Sequence, residues 1–212
     1  MNEDIAGIRR DYKLKNLLEE AVEADAMQQF KAWWHQAINS NIDEVNAFTL
    51  ATCINNNPHA RIVLLKDVAD DGFIFFTNYE SNKGQQLSAN PYAAITFFWK
   101  ELERQVRIEG TVEKISKEDS DAYYNIRPFE SRLGAWASPQ SRVISSRAVL
   151  DDNMQQLSKK FDENAIERPA HWGGYIVKPA TIEFWQGRSN RLHDRLLYTK
   201  QNNSWKIERL AP

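Results

Sequence analysis

From residue 47 onward the chain alternates short apolar, β-branched runs with tight-turn chemistry, and this spacing restricts it to an antiparallel β architecture. Ala47–Ile54 leads through Asn55-Asn56-Asn57-Pro58 into Ala60–Asp67, and Asp70-Asp71-Gly72 leads into Phe73–Asn78. Tyr92–Trp99 and Arg104–Ile115 are longer runs of the same kind, and Tyr175–Trp185, Arg195–Lys200 and Trp205–Leu210 follow, the last two joined by Asn202-Asn203. Helical signals fall between some of the strands. Asp25 is placed to cap a helix carrying Met27, Phe30, Trp33, Trp34 and Ile38, Ser81 caps one ending near Ala89, and Ser116 caps one running to about Ile126. A short helix and a polar loop are predicted over 129–145, and a longer helix over Ser146–Phe161. The pattern predicts a mainly β fold with flanking helices (α+β), not a doubly wound βαβ fold. No repeat or Gly/Pro/Ser linker divides the chain, so one domain is expected over 25–212 behind a mobile N-terminal arm over 1–24.

Composition removes several classes of function. Lys plus Arg number 27 against 29 Asp plus Glu, a net charge of −2, without the basic excess of a non-specific nucleic-acid binder. The longest apolar run, Ala93–Trp99, is too short to cross a membrane. Met1-Asn2-Glu3-Asp4 shows no basic-then-apolar leader, and Cys53 is the single cysteine, so a reducing, cytoplasmic setting is expected. His35, His59, His171 and His193 have no metal-ligand spacing, and no metal site is expected. The glycine signatures of a Rossmann site, a P-loop and a hydrolase elbow are missing.

What remains is a set of cations and amides. Arg61 and Lys66 flank Ile62, Val63, Leu64 and Leu65, an apolar stretch expected in a core; a phosphate-matching fork or a strand with surface charges both fit. Thr77-Asn78-Tyr79-Glu80-Ser81-Asn82-Lys83 runs from a strand into a helix N-terminus, where an anion would account for a lysine that is otherwise an ordinary exposed one. Alternation puts Glu103, Gln105 and Arg107 on one strand face, either a heterocycle contact or a solvated face. Tyr123 and Arg127 are spaced for one helical face, with Ser131, Gln140 and Ser141 beyond; they make a second phosphate site or a helix end with a loop. Arg191, His193 and Arg195 would share a face if extended, and would repel unless an anion or electron-rich ligand lay opposite.

In order and spacing the segments RIVLLK (61–66), LERQVRIEG (102–110), RPFESRLGAW (127–136), IEFWQG (182–187) and RLHDR (191–195) resemble the pyridoxine (pyridoxamine) 5′-phosphate oxidase family, and the likeness covers nearly the whole chain. The resemblance implies an FMN-binding split β-barrel, a homodimer with FMN at the subunit interface, and oxidation of pyridoxamine 5′-phosphate or pyridoxine 5′-phosphate to pyridoxal 5′-phosphate with O2 reduced to H2O2. It implies that Arg61 and Lys83 hold the FMN phosphate with Thr77 nearby, within a cofactor-binding set that includes Ile62, Val63, Leu64, Leu65, Lys66, Phe76 and Asn82. Gln105, Gln140, Ser141, Trp185 and Arg195 would contact the rest of FMN. Lys66, Tyr123, Arg127 and Ser131 would grip the substrate phosphate. Arg191 and His193 would lie beside the substrate ring as the catalytic pair, and Arg9, Arg10 and Tyr12 would belong to an arm over the site. Asn82 stands where the family usually has an arginine, which removes one phosphate charge. Two other readings share these segments: a split-barrel flavin protein of different activity, and a non-catalytic pyridoxal-phosphate carrier.

Overall fold

Asp25 opens the first helix by local chemistry alone. Its carboxylate accepts the backbone N–H groups of Met27 and Gln28, satisfying donors that the first turn leaves free, and α1 (Ala26–Ile38) follows. Ser81 and Ser116 act in the same way, on Gly84 and Asp119, at the starts of α2 (Asn82–Ala89) and α3 (Lys117–Asn125). The computed structural model describes Gly7 and residues 10–163 and 165–212. Arg9, assigned above to the arm, lies outside the described residues.

The strands are β1 (Ala47–Ile54), β2 (Asn57–Leu64), β3 (Asp67–Ala69), β4 (Gly72–Asn78), β5 (Tyr92–Trp99), β6 (Arg104–Lys114), β7 (Trp172–Gln186), β8 (Asp194–Gln201) and β9 (Ser204–Arg209), with α4 (Phe129–Ala137) and α5 (Ala148–Lys160) before β7. They pair in the order β2-β1-β5-β6-β7-β4-β3, and β8 pairs with both β7 and β9. The β3–β4, β4–β7, β7–β8 and β8–β9 pairs are antiparallel. The mainly β, helix-flanked class read from the sequence is the class observed. No helix among the described residues is long and apolar enough to cross a membrane.

Three local differences from the sequence expectation have physical causes. The β1–β2 turn is only Asn55-Asn56, both at positive φ (50° and 61°), the geometry that tight hairpins favour. β2 therefore starts at Asn57 and takes in Pro58, which a strand at the end of the pairing order tolerates. The apolar stretch expected in a core is largely not there: Leu65 is buried, but Ile62 is 65% exposed. β3 has three residues, too few for a sequence period, and is defined by pairing Ala69 with Gly72.

The chain divides into two compact units. The first gathers residues 1–49, 94–110 and 179–212. Its core is aromatic: Phe30 lies 5.5 Å from Phe97 and 6.1 Å from Trp99, and Trp33 meets Phe184 edge-on at 5.2 Å. Part of the expected arm is tied to this unit. Leu17 is buried with its N–H on Asp194, the Arg209 guanidinium clasps Glu19, and the Tyr198 hydroxyl donates to the Glu23 carbonyl. The second unit gathers residues 50–93 and 111–178, with Phe73, Phe75, Leu87 and Val177 among its buried residues. In α2, Gly84 is obligatory by contact, since a β-carbon there would lie 2.1 Å from the Tyr79 carbonyl oxygen. That close approach holds Lys83 and the preceding turn against the end of β4.

Candidate active site

In the second unit, the ends of β2 and β4, the first turn of α2, the end of α3, the start of α4 and the start of β7 line one cavity of about 510 Å³. Of the residues singled out in the sequence, Ile62, Val63, Leu64, Lys66, Phe76, Thr77, Lys83, Tyr123, Arg127, Ser131 and Gln140 line it. Asn78 and Pro128 line it too, from segments named in the sequence but without a role assigned there, and Trp172 lines it without having been anticipated. Leu65 is buried, while Asn82 and Ser141 are exposed; these three and Arg61 are not among the lining residues.

Arg61 stands behind the lining on neutral partners. Its guanidinium donates to the Leu50 carbonyl at 3.2 Å, to Thr52 Oγ1 at 2.7 Å and to Gln86 Oε1 at 2.8 Å. Thr52 in turn donates to the same Gln86 oxygen at 2.6 Å, which fixes the cradle. Lys83 Nζ donates to Thr77 Oγ1 at 3.1 Å. Burial, and then the nearby Arg61 charge, hold the Lys83 amine below its ordinary pKa. Burial also lowers that of Arg61. Two half-buried cations that repel each other and rest on neutral oxygens make a seat for an anion.

A second cationic position faces the same cavity. Tyr123 is on α3, and Arg127 follows just past its end, so the single helical face expected for the pair is replaced by convergence across a helix terminus. The Arg127 guanidinium lies 4.5 Å over the Trp172 ring, and its Nη1 is buried with no hydrogen-bond partner. Phe76 stacks on Tyr123 at 3.8 Å and on Trp172 at 5.5 Å, forming an aromatic wall. Burial lowers the Arg127 pKa, opposed by Tyr123 and Tyr124. An orphaned, desolvated guanidinium N–H is costly, and an anionic ligand oxygen would satisfy it.

In the first unit, Arg10, Tyr12, Arg191 and His193 line a cavity of about 600 Å³ together with Asp11, Arg188 and Asn190. The alternation expected for Arg191, His193 and Arg195 does not hold. Asn190 and Arg191 take left-handed backbone, with φ of 58° and 62°, and β8 begins only at Asp194. Of the three, only Arg195 meets an anion: the Glu183 carboxylate accepts from it at 2.8 and 3.0 Å, and from Arg107 at 3.2 Å. Glu183 and Trp185 are two apart on β7, and Trp185 pairs with Arg195, so period-two reading could have found it. Trp185 lies 4.6 Å from the His193 ring. The His193 Nδ1 accepts the Arg188 N–H at 3.1 Å, and burial followed by the Arg191 charge holds its pKa below the usual value. Gln105 is half-buried on β6 and Arg107 exposed on the same face, but Glu103 is buried, because its left-handed backbone (φ 54°) ends the alternation before the strand begins.

Sequence profiles of two families match the chain: one described as Pyridoxamine 5'-phosphate oxidase over residues 34–161, the other as Pyridoxine 5'-phosphate oxidase C-terminal dimerisation region over residues 172–212. A pyridoxine/pyridoxamine 5'-phosphate oxidase of Nostoc sp. is 55% identical over 214 residues, covering 100% of both chains. One from Salinibacter ruber is 52% identical over 212 residues, covering 98% of this chain and 99% of the relative. Among solved structures, PhzG from Burkholderia lata 383 in complex with tetrahydrophenazine-1-carboxylic acid superposes with a TM-score of 0.87 at 27% identity, over 94% of this chain and 99% of that one. A pyridoxamine 5'-phosphate oxidase-related, FMN binding protein from Nostoc punctiforme superposes with a TM-score of 0.70 at 19% identity, over 86% of this chain and 97% of that one, a likeness of fold.

Proposed function

The chain belongs to the pyridoxamine 5′-phosphate oxidase family, and on that premise we propose that it is an FMN-dependent oxidase converting pyridoxamine 5′-phosphate and pyridoxine 5′-phosphate to pyridoxal 5′-phosphate. The alcohol and O2 give the aldehyde and H2O2; the amine additionally consumes water and releases ammonia. The observation that carries this reading is the presence of two separate cationic positions around one cavity, Arg61 with Lys83 and Arg127 on its aromatic wall. One phosphorylated ring would occupy one of them, and a second phosphorylated ring the other.

FMN fits the first position, where its phosphate would supply the negative counter-charge that the cations Arg61 and Lys83 lack, with Thr77 beside it. We assign Gln105, Gln140, Ser141, Trp185 and Arg195 to the rest of the cofactor, and the main chain and side chains of 62–66 and Phe76 to its surroundings; Asn82, exposed on α2, takes no part in the charge. When bound, FMN supplies the acceptor for a hydride and the means of passing two electrons to O2. Lys66, Tyr123, Arg127 and Ser131 are assigned to the substrate phosphate, the handle that orients the ring. The match over 172–212 to a dimerisation region supports a homodimer, and the outward-facing Ile62 beside the cavity is apolar surface for a second copy to cover.

Arg191 and His193 are assigned to the substrate ring and its reacting carbon. With Nδ1 accepting from Arg188 and the pKa lowered, neutral His193 carries its proton on Nε2 and serves as a hydrogen-bond donor there. Arg191→Met should lower kcat by at least about tenfold, as expected for losing one preorganised charge at the reacting centre, with the flavin still bound. Removing the Arg191 charge should also raise the His193 pKa, moving the acid limb of the pH profile upward. Flavin reduction at the wild-type rate by saturating substrate would remove Arg191 from this role. The proposed activity itself is tested by anaerobic mixing of the purified holoprotein with pyridoxine 5′-phosphate. The yellow flavin absorbance should bleach, and admission of O2 should restore it; flavin that stays oxidised refutes the activity.

A further inference from the structure

In the first unit, residues 10–14 form a strap beside His193, and the group that fastens it is more than eighty residues away in sequence. Glu103 Oε2 accepts the Lys13 N–H at 2.9 Å and the Leu14 N–H at 3.1 Å, and its Oε1 lies 3.7 Å from Arg10 Nη2. The Glu103 side chain is only 4% exposed, so its carboxylate takes the two N–H groups largely away from water, while Arg10 reaches it from a side chain that is 50% exposed. The backbone of Glu103 is left-handed (φ 54°, ψ 41°), a conformation that glycine adopts without strain. What a glutamate adds at this strained position is the carboxylate itself.

The other end of the same residue is tied to the loop bearing His193. The Glu103 carbonyl accepts the Gly187 N–H at 2.7 Å and Gln186 Nε2 at 3.2 Å. Gly187 is the seat of the strap: a β-carbon there would lie 2.7 Å from Tyr12 Cγ and 2.8 Å from its Cβ, atoms too near the main chain to swing aside. Ser189 Oγ donates to the Tyr12 carbonyl at 3.2 Å. So placed, the Tyr12 ring meets Trp185 edge-on at 5.7 Å and His193 at 5.9 Å.

We propose that Glu103 is a positioning residue for the reaction: its carboxylate latches strap 10–14, and with the Gly187 seat it holds Tyr12 against His193 and Arg10 at the rim of the Arg191–His193 cavity. The proposal rests on the assignment of His193 to the substrate made above. Glu103 does not touch the substrate; its effect travels through the strap, so its loss should weaken substrate retention more than the chemical step.

Two readouts on the flavin-loaded full chain test it. The first is the rate of tryptic cleavage after Arg10, Lys13 and Lys15, and the second is steady-state turnover of pyridoxine 5′-phosphate. Glu103→Ala, which loses both hydrogen bonds to the strap, and Gly187→Ala, which crowds Tyr12, should each speed cleavage and raise KM about tenfold, with kcat within about threefold and flavin content unchanged. Glu103→Gln keeps an oxygen able to accept both N–H groups and should stay within about threefold of wild type in both readouts. Wild-type cleavage rates in both alanine variants would overturn the latch. Faster cleavage with KM unchanged would overturn the positioning role. The cleavage readout needs no turnover, so it decides the latch even if pyridoxine 5′-phosphate failed to reduce the flavin, a result that would refute the proposed activity instead.

Discussion

Arg127→Ala is expected to raise KM for pyridoxine 5′-phosphate by about 10- to 100-fold while the purified protein keeps its flavin. The guanidinium is half-buried over Trp172 with Nη1 lacking any partner, so the folded chain carries an unsatisfied donor inside the cavity. An unsatisfied buried donor costs about 1–3 kcal/mol, and a hydrogen bond to a charged group contributes about 1.5–3 kcal/mol, which sets the expected range. Alanine removes the ligand's anchor and the orphan together, so stability should hold while affinity falls. kcat should fall less than kcat/KM, because the phosphate is remote from the reacting carbon and acts chiefly through retention and orientation. Titration of the oxidised protein with pyridoxal 5′-phosphate, read by the change in flavin absorbance, separates binding from turnover. Unchanged KM and unchanged binding would remove Arg127 from the phosphate position.

Lys83→Met should act on the other ligand. It keeps the length of the side chain and removes the charge, so the FMN dissociation constant should rise about 10- to 100-fold by the same charge-assisted hydrogen-bond scale. KM for pyridoxine 5′-phosphate, measured at saturating FMN, should change by no more than about twofold, because Arg127 and Lys66 are untouched. The flavin-free variant should be at least as heat-stable as flavin-free wild type. Burial and the Arg61 charge both disfavour the Lys83 ammonium in the folded state, so the charge is a liability when no anion is present. The sign of the pH dependence follows. The folded pKa is below the ordinary 10.5, the unfolded chain binds the proton more readily, and flavin-free wild type gains stability as pH rises between those two values. Methionine at this position abolishes that gain. Fluorescence quenching of FMN on titration with flavin-free protein gives the dissociation constant, and wild-type affinity in the variant would refute the seat.

The local parts of the fold were legible because their causes are local. Asp25, Ser81 and Ser116 cap the helices their sequence positions predict, and Tyr92–Trp99 reads as the strand it is. What failed depends on the third dimension. An apolar run has the same pattern whether it faces a core or lines a cavity, so the pattern at 62–65 predicts burial although Ile62 faces out. Left-handed backbone at Glu103 and Arg191 breaks a two-residue alternation at residue types that do not favour that conformation; only Asn190 beside Arg191 is a type that adopts it readily. The cradle of Arg61 is built from Thr52 on β1 and Gln86 on α2, a pairing that only tertiary packing creates. Trp172 became the platform under Arg127 by the same route. The cationic residues themselves stood out in the sequence, whereas their neutral supports did not.

With FMN seated as proposed, the neutral cradle behind Arg61 would tie the protein's upkeep to cofactor supply. On the proposed reading, a chain without FMN would hold the Arg61 and Lys83 charges on neutral partners alone, and the FMN phosphate would relieve their repulsion. Riboflavin shortage would then thin the population of intact molecules through proteolytic turnover, as well as idling those that survive.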